Sequence, residues 1–253
     1  MPAVLSPHLF LHSSPPKDPA EGSTGYRRRL PSGLLVTATR DEHAPALEAL
    51  QHTVFPTLAD AQRFKREHYV KHLELFPKGQ FVALDGDRVV AATSTIRRNF
   101  DFAHTAHRFD DIIAGGWLTS HEPTGEWLYG ADLGVAPEYR GRGLARALYA
   151  ARQELVWALG LRGQLAAGMM SGYGARKHEM TAQSYFEGLR DGTVNDPTLS
   201  VQMRIGFEPR ALIPDHVRDP SCDNYSVLIV LDAAKEVPGA VRPGSAPNAL
   251  TRG

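Results

Sequence analysis

Residues 135 to 159 constrain this chain more than any other stretch. An apolar run ends at Val135-Ala-Pro137, a turn Glu138-Tyr-Arg140-Gly-Arg-Gly143 follows, and Leu144, Leu148, Ala151, Leu155 and Leu159 then recur at helical spacing. A helix that opens on glycine leaves its first N–H groups without intrahelical partners and concentrates the positive end of its dipole there. Such a turn is suited to hold a pyrophosphate on main chain alone. Gly141 and Gly143 allow close approach of the backbone, and Arg140 and Arg142 add charge.

Three phosphate-binding loops compete for this stretch. The P-loop pattern G-x-x-x-x-G-K-[ST] is absent. The dinucleotide fingerprint starts at Gly141-x-Gly143 but meets Arg146 where its third glycine belongs, and no βαβ opening precedes it. The pattern that fits is [Q/R]-x-x-G-x-[G/A], here Arg140-x-x-Gly143-x-Ala145. It resembles the acetyl-CoA loop of the GNAT acyltransferase superfamily. A plain glycine-rich helix start with solvated arginines would account for the turn but not for the matches downstream of it.

Length and composition bound the rest. The 253 residues are 42% hydrophobic, enough for one large domain or two small ones. Lys+Arg and Asp+Glu both count 28, so no overall charge bias recommends nucleic acid or a membrane surface as partner. The single cysteine, Cys222, excludes an internal disulfide framework and a cysteine-rich metal site, and a reducing, cytoplasmic setting is the default expectation. No apolar run approaches the roughly 20 residues needed to span a bilayer, and the weakly apolar start, Met1 to Leu11, lacks the basic region of a signal peptide.

Residues 1–30, rich in Pro, Ser and Gly, are expected to form a flexible leader, 31–233 the folded domain, and 234–253 a disordered tail. Within the domain, Leu34 to Thr39 is β-prone, Asp41 stands where a helix N-cap would, and Pro56 ends the helix through Leu47 and Leu50. Thr57 to Leu75 reads as a second amphipathic helix. Two β-prone runs around Asp85-Gly86-Asp87 signal a hairpin. Asn99 to Pro123, with three histidines and four large aromatics, reads as a partly helical excursion forming one wall of a site. Glu126 to Val135 is the strand delivering the turn, and Leu165 to Met170 a further strand. Helices follow at His178 to Leu189 and from Asp196-Pro197 to Gly206, and strands at Pro209 to Ile213 and Tyr225 to Leu231 close the sheet.

From about Val36 to Leu231 the chain looks like a GNAT domain. Phe76-Pro-Lys-Gly-Gln-Phe-Val, Ser120-His-Glu-Pro-Thr-Gly, Leu128-Tyr-Gly, Met180-Thr-Ala-Gln-Ser-Tyr185 and Asp196-Pro-Thr-Leu-Ser-Val-Gln202-Met-Arg-Ile-Gly206-Phe207 are similar to the GNAT portion fused to carbon–nitrogen hydrolase domains in some bacteria. That group mostly reads Gly-Arg-Ile-Pro-Gly-Tyr where this chain has Gly168-Met-Met-Ser-Gly172-Tyr173. The resemblance implies an α/β (α+β) fold with a mixed, strongly twisted sheet of about six to seven strands, helices on both faces and a splay in the middle. It implies that Leu133 and Val135 contact pantetheine through their backbone, and that Arg140, Gly141, Arg142, Gly143, Leu144 and Ala145 hold the pyrophosphate of acetyl-CoA. It implies direct attack of an amine, small or protein-borne, on the thioester.

Such chemistry asks for a base, N–H groups at the developing oxyanion, and an acid for the thiolate. The resemblance makes Asp132 the candidate base, three residues before Val135 at a position often acidic in the family, with Glu126, Glu122 and His121 in competition. The alternative for Asp132 is a hydrogen bond to loop backbone or a helix end. Many GNATs place a tyrosine acid four residues before the Gly-Phe pair. Here Gln202 occupies that position, so Tyr185 or Tyr173 is left as substitute, and a catalytically decayed CoA-binding sensor stays open as the second reading. Homodimerisation is also open. His68 and His72 have metal-ligand spacing but no third ligand nearby, so they read as a solvated helix face. No metal site is expected.

Overall fold

The computed structural model describes residues 25–244; the greater part of the expected leader, 1–24, and the end of the expected tail, 245–253, lie outside the described residues. The first strand is β1 (Arg27–Arg29), and β2 (Leu35–Ala38), α1 (Ala44–Val54) and α2 (Arg66–Leu75) follow. The hairpin is β3 (Phe81–Asp85) and β4 (Arg88–Arg98), with α3 (Phe109–Ile113) in the excursion after it. Next come β5 (Trp127–Val135), α4 (Leu144–Ala158), β6 (Gly163–Met169), α5 (Ala182–Asp191), α6 (Leu199–Ile205), β7 (Glu208–Ile213) and β8 (Ser226–Asp232).

The strands form one mixed sheet of order β1-β2-β3-β4-β5-β6-β8-β7, eight strands rather than six or seven. The extra strand is β1: Arg27–Arg29 pairs antiparallel with β2, inside what sequence composition suggests is leader. An ion pair from Arg28 to Glu154 and a 2.7 Å bond from Arg28 to the Gly239 carbonyl hold this edge, so charges that read as solvated are structural. Residues 235–241 are likewise not loose. Val237 is buried, Gln153 donates to the Asp232 and Lys235 carbonyls, and the Val241 N–H donates to Glu154, so this segment lies along α4.

The expected helix from Thr57 is shortened to Arg66–Leu75. Before it, Arg63 donates to the Phe55 and Pro56 carbonyls and the Ala59 N–H to Arg218, which fixes an irregular segment that delivers Leu58 and Phe64 into the core. His68 and His72 are buried, not solvated. The His68 ring packs on Trp117 and Phe64, its Nδ1 accepts from the Lys65 N–H, and His72 Nε2 is 2.7 Å from the Gly116 carbonyl. Among the described residues no cluster of His, Cys, Asp and Glu could hold a metal ion, and no helix is long and apolar enough to cross a membrane.

Two features of β5 create the site. Its parallel pairing with β6 is confined to Trp127↔Gly163, Leu128↔Gln164 and Tyr129↔Leu165; beyond Tyr129 the two strands diverge and their facing edges are unpaired. On its other side β5 carries a bulge: Ser94 faces Asp132 and Thr95 faces Gly130, which leaves Ala131 without a partner on β4. A regular strand would turn Gly130 and Gly134 to the same face. With one residue inserted they face oppositely, Gly130 against Arg152 of α4 and Gly134 against Val54 of α1. Hence helices pack on both sides of the sheet at the point where it splits.

Candidate active site

A cleft of about 730 Å³ runs through the split. At one end lies the glycine turn. Gly141 and Gly143 have φ of +75° and +80°, left-handed values that a side chain resists. Gly143 is the N-cap of α4 and has no side chain to cap it, and the N–H groups of Gly141, Arg142 and Gly143 make no hydrogen bond among the described residues. A Cβ at Gly141 would meet open space, so the turn is free for a ligand. Arg140, Gly141, Leu144 and Ala145 line the cleft, as do Leu133 and Val135 from the unpaired edge of β5. Arg142 and Gly143 do not line it: the Arg142 guanidinium lies 4.8 Å from the centre of the Tyr139 ring, and Gly143 contributes backbone geometry.

At the other end, side chains from four elements meet. Asp132 sits half-buried on the α1 face; its Oδ1 accepts from the Ser94 N–H at 2.5 Å and its Oδ2 from Gln51 Nε2 at 2.6 Å. Burial pushes its carboxyl up to about 6 against the pull of those donors and of Arg152. From the opposite face α4 contributes Tyr149 and Arg152. The Tyr149 hydroxyl accepts from Gln202 Nε2 at 2.8 Å, and its own proton has no acceptor among the described residues. Its pKa is raised, chiefly by burial. The β7–β8 connection adds His216, whose Nδ1 is 3.1 Å from Ser226 Oγ and whose Nε2 is buried with no partner among the described residues. Burial, with His107 beside it, pulls that imidazole down to about 3 and keeps it neutral at physiological pH.

Two strand glycines admit these side chains. A Cβ at Gly130 would stand 1.6 Å from Arg152 Nη2, and one at Gly168 of β6 would stand 2.6 Å from Gln202 Oε1. Each strand gives up a side chain where it borders the split, and a polar group from a helix takes the space.

The alternative bases are elsewhere. Glu122 accepts from the Asn99 N–H and side chain, Glu126 pairs with Arg162 at the surface, and the His121 ring stacks on Phe76 while its Nδ1 accepts from the Arg97 N–H. None of the three lines the cleft. Tyr185 must also be corrected as a site residue. Its hydroxyl donates to Asp196 Oδ2 at 2.9 Å in the core, outside the cleft, and Asp196 Oδ1 in turn accepts from the N–H groups of Thr198 and Leu199 at the start of α6. Tyr173 is buried with its hydroxyl directed at the Met180 carbonyl. Both tyrosines serve the loop that carries α6. Sequence reasoning missed Tyr149, Arg152 and His216. A signal for Arg152 existed: it continues the row Leu144, Leu148 at four-residue spacing, which puts a charged residue on the buried face.

A split parallel pair beside an uncapped, glycine-started helix, with a half-buried carboxylate at its far end, makes up this cleft. Residues 44–171 match the acetyltransferase (GNAT) family, and the chain belongs to it. Among curated relatives, a probable hydrolase, YhcX of Bacillus subtilis, is 34% identical over 181 residues, 71% of this chain but 35% of that protein. The chain thus spans about a third of that relative, as a GNAT portion of a fusion would. An uncharacterized N-acetyltransferase of the same organism, YkwB, is 29% identical over 184 residues, 72% of this chain and 81% of that protein. In fold the chain is similar to the loading GNATL domain of CurA from Lyngbya majuscula, with TM-score 0.67, 18% identity, and 79% and 98% of the two chains covered. It is also similar to the GphF GNAT-like decarboxylase solved with isobutyryl-CoA, with TM-score 0.64, 21% identity, and 78% and 98% covered.

Proposed function

We propose that the chain transfers acetyl from acetyl-CoA to an amine by direct attack, with Asp132 as base and Tyr149 as acid. The observation that supports this most is the placement of both groups on the one cleft that starts at the glycine turn, one from each face of the sheet. Main-chain N–H groups of the turn and the start of α4 take the diphosphate, and Arg140 adds charge. The unpaired edge of β5 around Leu133 and Val135 offers backbone groups to the pantetheine amides.

The amine nitrogen forms a bond to the thioester carbonyl carbon as the carbon–sulfur bond breaks. Asp132 receives the proton lost by the amine, directly or through water. Tyr149 gives its proton to the departing thiolate, with the Gln202 amide holding the hydroxyl in place. A carboxyl near 6 suits the task, because it is ionised at neutral pH yet basic enough to compete for the proton. The sensor reading drew its support from Gln202; the hydroxyl beside Gln202 comes instead from the neighbouring helix. The deciding test is release of free CoA thiol from acetyl-CoA in the presence of an amine panel. Turnover supports the assignment, and CoA binding without turnover of any amine overturns it in favour of a sensor.

A further inference from the structure

Arg152 is 1% exposed. Among the described residues its Nε and Nη2 have no hydrogen-bond partner, and its Nη1 is 3.5 Å from Thr93 Oγ1, a hydroxyl already donating to the Asp132 carbonyl. No carboxylate among the described residues pairs with it: Asp132, the one acid acting on it there, spends its oxygens on Ser94 and Gln51. The ring of Tyr149, 5.0 Å away, gives only a partial counterweight. A buried guanidinium keeps its charge and is costly without an anion. Yet the fold goes out of its way to keep this one, because β5 places glycine at position 130 where any Cβ would collide with it. Arg152 is also one of the residues that line the cleft.

The diphosphate does not reach it. Gly143 and Arg152 are nine residues apart on one helix, roughly 13 Å along its axis. The anion that meets Arg152 therefore belongs to the thioester end of the cleft. We infer that Arg152 is the recognition group for a carboxylate carried by one of the two reactants, close to the carbon that is attacked. This rests on the acyltransferase reading and narrows its substrates: either the acyl group ends in a carboxylate, as in a short dicarboxylic thioester, or the amine is an amino acid. A guanidinium fork takes a planar carboxylate through two parallel bonds, and the unpartnered Nε and Nη2 are the two donors that geometry requires.

The test pairs each carboxylate with its neutral counterpart in the full chain. Calorimetry compares CoA, acetyl-CoA and malonyl-CoA, and thiol release from acetyl-CoA compares amino acids with their decarboxylated amines. The carboxylated member of one pair should be favoured by about tenfold or more in Kd or kcat/KM. Arg152→Met should abolish that preference while leaving the Kd for free CoA within about twofold, Arg152→Lys should restore part of it, and Gly130→Ala should copy the loss by displacing the guanidinium. A preference in the malonyl pair names the donor as source of the carboxylate, and one in the amine pairs names the acceptor. The proposal is overturned if neither pair discriminates, or if Arg152→Met depresses all substrates alike, which would make Arg152 a support of the fold or of the transition state. Failure of the parent chain to bind CoA at all would instead overturn the acyltransferase assignment beneath it.

Discussion

The two ends of the cleft are built on opposite plans. The phosphate end is local: six consecutive residues, two with left-handed backbone, and an uncapped helix start offer N–H groups that need no distant partner. The thioester end is assembled across the fold. Asp132 comes from β5, Gln51 from α1, Tyr149 and Arg152 from α4 and Gln202 from α6, joined by bonds that span 38 to 81 residues of sequence. A local backbone site binds a chemical class, and a distributed side-chain site selects and transforms. The first should tolerate changes elsewhere, whereas the second should fail wherever one of its contributors moves.

That contrast can be broken by substitution. Asp132→Asn should have the largest effect, a loss of roughly 10²–10⁴ in kcat/KM with CoA affinity unchanged, measured by thiol release and calorimetry. A fall in CoA affinity of similar size would erase the distinction between the ends. Gly143→Asp should reverse the pattern. Left-handed strain of about 1–2 kcal/mol and a negative charge in the cradle should weaken CoA binding by roughly 100-fold, and an unchanged Kd would displace the cradle from this turn. Tyr149→Phe should lower kcat by about 10–100-fold, most with poor thiol leaving groups, while Tyr185→Phe leaves kcat as it is and costs about 1 kcal/mol in chemical denaturation through the lost bond to Asp196. If those two results were exchanged, the assignment of the acid would be wrong. Arg140→Ala should have the smallest effect, a few-fold loss of CoA affinity that fades at high salt, because the side chain only supplements main-chain donors.

The pH dependence sharpens the same contrast. Asp132 accepts a proton only when ionised, so kcat/KM should rise with pH through about 6, and the limb should be missing from Asp132→Asn. The stability effect has the opposite sign. The folded carboxyl is raised above its unfolded value, so its contribution is fully present at low pH and is lost as pH rises through about 6. The melting temperature of Asp132→Asn relative to the parent should therefore improve as pH rises toward about 6 and level off above it. If backbone amides and arginine hold CoA, as proposed, its affinity should stay flat over the same range.

Much of the fold was legible because it is written in short-range patterns. The Asp85-Gly86-Asp87 hairpin, the strand into Pro137 and the stop at Gly206 all appear where local chemistry puts them. The helix expected from Thr57 failed because Arg63 and Ala59 find carbonyl partners outside it, at Phe55, Pro56 and Arg218. The leader was overextended because Arg27–Arg29 has no apolar residue to advertise a strand; its stability comes from Glu154 and Gly239, which are far away in sequence.

By itself the sequence determined the glycine turn, the helix behind it and hence the class of ligand, since left-handed glycines and unsatisfied N–H groups are properties of consecutive residues. Asp132 was singled out by the family resemblance rather than by spacing alone. Only the tertiary structure decided which hydroxyl stands beside Gln202, that Tyr185 is committed to Asp196, and that Arg152 lies beneath Gly130 with no carboxylate partner among the described residues. Those facts depend on where the β5 bulge turns each side chain and on how far β5 and β6 part after Tyr129, and such distances between remote segments have no signature along the chain.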